Sequence, residues 1–158
     1  MKIKLTLSII TVSVFLFGCG YEIVNKSKGN NFSIAEINLS GEKRINYNIK
    51  NRLKFNAAKE NTNLIKIDIE TSKNKTINNK NIKNEITSYE LSIKSKVTYA
   101  LIGNNKKKGQ FEVSKSGTYK VSNQRLDTLN SEKKLVEILT DNIFKDISTK
   151  LNNILNDS

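Results

Sequence analysis

The chain has 158 residues, a formal charge of +12, one cysteine and no histidine, proline or tryptophan. That length suits one domain around one core, and a lone cysteine excludes an internal disulfide, so the fold has to hold by packing alone. The lack of histidine removes the commonest general base and the commonest metal ligand.

Residues 1–18 read as a lipoprotein signal peptide. Lys2 and Lys4 give a positive start, Leu5 to Phe17 an apolar run, and Gly18 the small residue that a signal peptidase takes before its cut. Cys19 then stands where a thiol receives a diacylglycerol. Processed in this way, the mature chain begins at Cys19 and carries a diacylglycerol and an N-acyl chain there, with no other cofactor. Each buried methylene contributes about 0.8 kcal/mol, so several chains together make an essentially permanent anchor. The apolar run is too short for a helix crossing about 30 Å of hydrocarbon, which takes about 20 residues. An uncleaved anchor and a plain secretory signal are the alternatives, although the second has no use for the cysteine. Gly20, where an Asp would signal retention at the inner membrane, favours the outer membrane and its periplasmic side.

Removal of Lys2 and Lys4 lowers the charge from +12 to +10. A basic excess attracts acidic lipid headgroups, phosphorylated glycolipids or nucleic acid. Abundant Lys, Asn and Ile beside only Arg44, Arg52 and Arg125 is also the usage of AT-rich codons, so the charge has two explanations. Scarce arginine and an exported location both argue against nucleic acid, whose guanines and phosphates favour bidentate guanidinium contacts.

Residues 19–31 form a polar, lipidated tether, and residues 32–158 a single α+β domain. Phe32 to Leu39 alternates as a strand. Ser40 is placed to cap a helix with Glu42 in its first turn, and Ile45, Ile49, Leu53 and Ala57 mark its buried stripe as far as about Lys59. Asn63 to Thr71 is a strand with Ile65, Ile67 and Ile69 on one face. Residues 73–84, crowded with Lys and Asn, predict a long mobile loop. Thr87 to Leu101 alternates again, with Tyr89, Leu91, Ile93, Val97, Tyr99 and Leu101 inward and Ser95 as a small gap. Gly103 to Gly109 predicts a hairpin turn, and Gln110 to Asn123 its partner strand, with Phe111, Val113, Tyr119 and Val121 inward and a bulge or break at Lys115–Gly117. Asn130-Ser131 opens a last helix whose stripe is Leu135, Ile138, Leu139, Ile143, Ile147, Leu151, Ile154 and Leu155. The order β-α-β-β-β-α predicts a four-stranded mixed sheet with two helices packed on one face and a polar second face.

No chemistry-bearing constellation stands out. There is no nucleophile–base set, no metal-like carboxylate grouping and no phosphate-binding glycine loop, so an enzyme is not expected. Lys106, Lys107 and Lys108 at the predicted hairpin tip are the sharpest surface feature. They read either as a grip for phosphate or an anionic lipid, or as a solvated turn.

With the Gly18-Cys19-Gly20-Tyr21 start, the strand–helix–three-strand–helix plan and a polar strand end at Ser122-Asn123-Gln124-Arg125 before the last helix, the chain resembles the LPS-assembly lipoprotein LptE family. The likeness spans the mature chain and departs from the family at Glu22-Ile23-Val24, where a Leu- or Pro-containing stretch is frequent. It implies a plug within the outer-membrane β-barrel LptD, assistance in assembling that barrel, and binding of lipopolysaccharide (LPS) during export to the outer leaflet. The rival expectation is an outer-membrane lipoprotein that regulates a peptidoglycan synthase or pilots a secretin. About ten tether residues reach only about 35 Å, which is short for that task. A third is a general anionic-lipid binder with no barrel.

Overall fold

The computed structural model describes residues 32–58, 64–102 and 107–156. The signal peptide, Cys19, the tether and Lys106 lie outside the described residues. The elements are β1 (Ser33–Gly41), α1 (Lys43–Asn56), β2 (Leu64–Lys80), β3 (Ile86–Ile102), β4 (Lys108–Lys120) and α2 (Arg125–Asn156). The sheet order is β1-β2-β3-β4, with β1 and β2 parallel and the two remaining pairs antiparallel. This is the mixed α+β arrangement that the sequence pattern predicts.

The core lies on one face of the sheet because alternation puts every second residue there. Ile65, Ile67 and Ile69 of β2 and Leu91, Ile93 and Val97 of β3 are buried against Ile45, Ile49 and Leu53 of α1 and Leu139, Ile143, Ile147 and Leu151 of α2. Phe32 is fully buried where the chain enters, and its carbonyl accepts the Ala58 N–H at 2.9 Å, fastening the start of β1 to the end of α1. α2 spans about 48 Å at 1.5 Å per residue and runs antiparallel along β4. Leu135 meets Gly117, Asp146 pairs with Lys115 at 2.8 Å, and Lys150 donates to the Glu112 carbonyl at 3.0 Å.

The structure corrects several local expectations. Residues 73–84 are not a mobile loop: β2 continues to Lys80, and a tight turn over 81–85 leads into β3. Its backbone bonds come from the ladder with β3, from Lys73↔Ile93 to Lys80↔Ile86, so the strand needs no apolar side chains of its own. Asn81 closes the turn, its Oδ1 accepting the N–H groups of Lys83 and Glu85 at 2.9 and 3.0 Å, while Asn84 takes a positive φ of 63°.

Lys115–Gly117 holds no bulge, because the β3–β4 register is unbroken there. Gly117 instead admits α2, since a Cβ at that position would lie 2.9 Å from Leu135 Cδ1. The sheet's irregularities fall in β1 between Ile34 and Glu36 and in β2 between Ile77 and Lys80.

Ser40 does not cap α1. It is still in β1, Glu42 holds the cap position without a side-chain bond, and the Ser40 carbonyl accepts Asn46 Nδ2 at 2.6 Å. α1 ends at Asn56, short of Lys59, which lies outside the described residues. α2 begins at Arg125 rather than Asn130, because Thr128 Oγ1 accepts the Ser122 N–H at 2.9 Å and Asp127 sits in the first turn, where the helix dipole favours it. Within the stripes, Ile138 and Val121 are exposed rather than buried. Ile138 lies off the arc that α2 presents to the sheet, and Val121 lies past the end of β4.

Gly41 is the hinge of the crossover. Its φ is +85°, and a Cβ there would overlap the Thr71 carbonyl oxygen. Gly41→Ala is expected to destabilise the domain by about 1–3 kcal/mol, read from the midpoint of urea unfolding. An unchanged midpoint would show that the turn between β1 and α1 relaxes freely.

Candidate functional site

The described members of the lysine turn sit at one end of the sheet. By register, Ser33 of β1, Leu64 of β2 and Ile102 of β3 share that end, and the Lys107 carbonyl accepts the Leu101 N–H at 2.8 Å. The end of α2 is there too, with Lys107 Nζ 3.4 Å from the Ile154 carbonyl oxygen. A cation beside the last carbonyls of a helix is favoured by the helix dipole, so Lys107 also has a structural task. Lys108 is exposed at the start of β4, opposite Ala100. The segment that carries Cys19 joins the domain at this same end, through Phe32.

A second cluster forms at the far end and was invisible as a motif. β2 keeps its inward register beyond the isoleucines through Thr71, Lys73, Lys75 and Ile77. Thr71 and Ser95 are buried with their hydroxyl oxygens 2.9 Å apart, which turns the Ser95 gap into a polar layer. Past that layer Lys75 Nζ donates to Glu132 Oε2 of α2 at 2.6 Å, and Tyr119 OH donates to the same oxygen at 2.7 Å. The ammonium lies 4.3 Å from the Tyr89 ring centre and 5.3 Å from that of Tyr119, and the two rings stack at 5.7 Å. Cation–π and charge-assisted bonds thus replace apolar packing where the core thins.

The electrostatics follow from this geometry. Hydrogen bonds with Glu132 and then Tyr119 hold the Lys75 ammonium above its ordinary value. Burial pushes the Tyr119 phenol up. Burial also pushes the Glu132 carboxyl up, but the bonds from Lys75 and Tyr119 outweigh it and leave the group below the ordinary carboxylate range. The members of the cluster bond one another and form a clasp between β2, β3, β4 and α2.

The outer face of the sheet is polar and self-neutralising. Lys66 pairs with Glu36 and Lys94 with Glu112, each at 2.8 Å, while Asn38 donates to Glu36 and Asp68. A shallow basin of about 320 Å³ on this face carries both signs, from Asp68, Glu70 and Lys96. A groove of about 260 Å³ on the helix side lies between the start of α1 and the first half of α2, beside Lys73. Among the described residues no group of His, Cys, Asp or Glu is placed to hold a metal ion, and no helix is long and apolar enough to cross a membrane.

No family model and no curated protein matches the chain. Solved structures do share its fold. Rare lipoprotein B from Shewanella oneidensis is similar with a TM-score of 0.55 and 17% identity, over 75% of this chain and 98% of that one. Lipoprotein B from Nitrosomonas europaea gives 0.53 and 11%, over 83% and 90%. A minor lipoprotein from Acinetobacter baumannii gives 0.51 and 13%, over 78% and 92%. At these identities the likeness establishes the fold, and it extends over nearly the whole of each of those chains.

The clasp makes a pH-dependent contribution to stability. Because the folded carboxyl of Glu132 titrates lower than the unfolded one, its stabilisation is complete above the ordinary carboxylate range and disappears as pH falls through the depressed value. Glu132→Gln is expected to cost about 1 kcal/mol at pH 7, a modest value for a partly exposed pair, and to converge with the parent protein in strong acid. Urea unfolding across pH reads both limbs, and a penalty that persists unchanged into acid would assign the effect to packing.

Proposed function

We propose that this protein is an outer-membrane lipoprotein of the LptE kind, anchored through Cys19. In this reading it occupies an LptD-like β-barrel, assists the barrel's assembly and contacts lipopolysaccharide during export. The observation that carries the reading is the pairing of a lipobox ending at Cys19 with a fold shared by structures described as lipoproteins. The architecture that the LptE resemblance implies is the architecture found.

The geometry suits the role. A barrel lumen is wet and polar, and the cross-strand ion pairs give the outer sheet face a surface that tolerates it. Lys107 and Lys108 lie at the end where the tether joins, so a lipid on Cys19 keeps that end of the domain within about 45 Å of phosphate-bearing headgroups, the extended reach of residues 19–31. The role requires no chemical step: work is done by occupying space and by binding one state of the partner better than another. No catalytic activity is proposed.

Purification of the full chain in mild detergent tests the reading. A large, heat-modifiable barrel recovered in equal amount is the expected result, and recovery of a peptidoglycan synthase or a secretin subunit instead would overturn it. Changing Lys106, Lys107 and Lys108 together to Glu is expected to weaken lipopolysaccharide binding about tenfold or more, a loss of at least about 1.4 kcal/mol. The fold should survive, with less than about 1 kcal/mol lost at the end of α2. Unchanged binding would remove this turn from the contact surface.

A further inference from the structure

β1 is a nine-residue strand beside a seventeen-residue one, and among the described residues the difference leaves half of β2 without a strand neighbour on the side away from β3. The last parallel pair is Gly41↔Thr71. There the chain turns away into α1, and the Thr71 carbonyl accepts the Glu42 N–H at 2.9 Å. Beyond it, among the described residues, no strand pairs with the free side of Ser72–Lys80. In a strand the N–H and C=O of one residue point the same way and those of the next point the opposite way. The direction of the Thr71 carbonyl therefore fixes the rest: Lys73, Lys75 and Ile77 present their backbone groups outward, at intervals of about 7 Å. The register along this stretch stays regular up to Ile77.

An exposed edge of this kind is a template for another strand, and proteins ordinarily blunt such edges with lysine. Here the lysines also select. Ser72 to Lys83 carries Lys73, Lys75, Lys80 and Lys83 and no carboxylate. A second copy of the chain would bring the same positive row against it and be repelled. Lys73, Lys80 and Lys83 make no salt bridge among the described residues, so they are available to carboxylates on an incoming chain. The groove of about 260 Å³ beside Lys73 offers Leu129 and Val136 to apolar side chains of that chain.

The geometry points to a strand-addition site: the free edge of β2 at Ser72–Ile77 takes an extended acidic segment of a partner protein, which continues the sheet along the line β1 leaves at Gly41. Main-chain bonds hold the segment, lysines match its carboxylates, and alternate side chains enter the groove between the helices. The inference concerns a protein partner and stands whether or not that partner is a β-barrel.

The probe is a blocked nine-residue peptide alternating Glu and Val, with a Lys/Val peptide as its counterpart, added to the full chain at pH 7. Fluorescence anisotropy is expected to show binding of the Glu/Val peptide only, and hydrogen exchange to show slowed amides at Lys73, Lys75 and Ile77. Ile77→Pro removes one outward donor while leaving the β3 ladder intact, a placement that edge strands tolerate. It should weaken the peptide about tenfold. Lys73→Glu with Lys80→Glu keeps the backbone and should reverse the preference toward the Lys/Val peptide, which decides the matter even where the proline variant unfolds. Equal binding of both peptides, no slowing at those amides, or slowing by phosphatidylglycerol vesicles and not by the peptide would each overturn the site.

Discussion

Burial on a single face of the sheet is the constraint on which the rest depends. With no disulfide and no proline, the domain is held by two helices pressed against alternate residues of a sheet whose other face stays wet. Removing a buried Ile or Leu from such an interface costs about 2–5 kcal/mol, so the isoleucines of β2 and the stripe of α2 set the stability. α1 reaches only as far as β1 does; beyond the Thr71–Ser95 layer β2 contributes Lys73, Lys75 and Ile77 in place of isoleucine, while Leu91 and Ile93 of β3 remain buried in the core. Farther along, α2 covers the sheet alone, and the Lys75–Glu132–Tyr119 clasp holds where isoleucine would otherwise be used.

Two unlike ends follow from that asymmetry. One gathers the chain entry at Phe32, the end of α2 and the Lys107–Lys108 turn, all tied to the packed half. The other is the far end of the β2–β3 hairpin, held by its ladder and by the clasp to α2, closed by an asparagine turn and bare along one edge. In the proposed role the first end faces the membrane that holds Cys19, and the second projects away from it as the part free to meet another protein.

Most of the architecture was legible because alternation and helical spacing report burial directly. Ile65-x-Ile67-x-Ile69 and the four-residue steps of Ile45, Ile49 and Leu53 leave little choice of element. The failures share a cause. Residues 73–84 lost their apolar content, yet Lys73, Lys75 and Ile77 kept the odd-numbered register of the isoleucines, and β3 opposite them is long enough to pair. A strand stabilised by its neighbour's backbone leaves no hydrophobic signature. The clasp was hidden for a related reason: Lys75, Tyr89, Tyr119 and Glu132 come from four elements, and only the β2–β3–β4 register brings them together. Gly117 resembled a break because a missing side chain looks the same whether the strand bends or a helix approaches, and only the position of Leu135 tells the two apart. Cys19 is the opposite case, a residue read entirely from its flanking sequence.

The anchor is where the functional reading is most exposed to test. Mass spectrometry of the N-terminal peptide from membranes of the native host reads it in one step. The lipid-anchored reading predicts a mature chain starting at Cys19, its mass raised by a diacylglycerol and an amide-linked acyl chain. An unmodified Cys19 thiol, on a chain still starting at Met1 or recovered free of membrane, would contradict it.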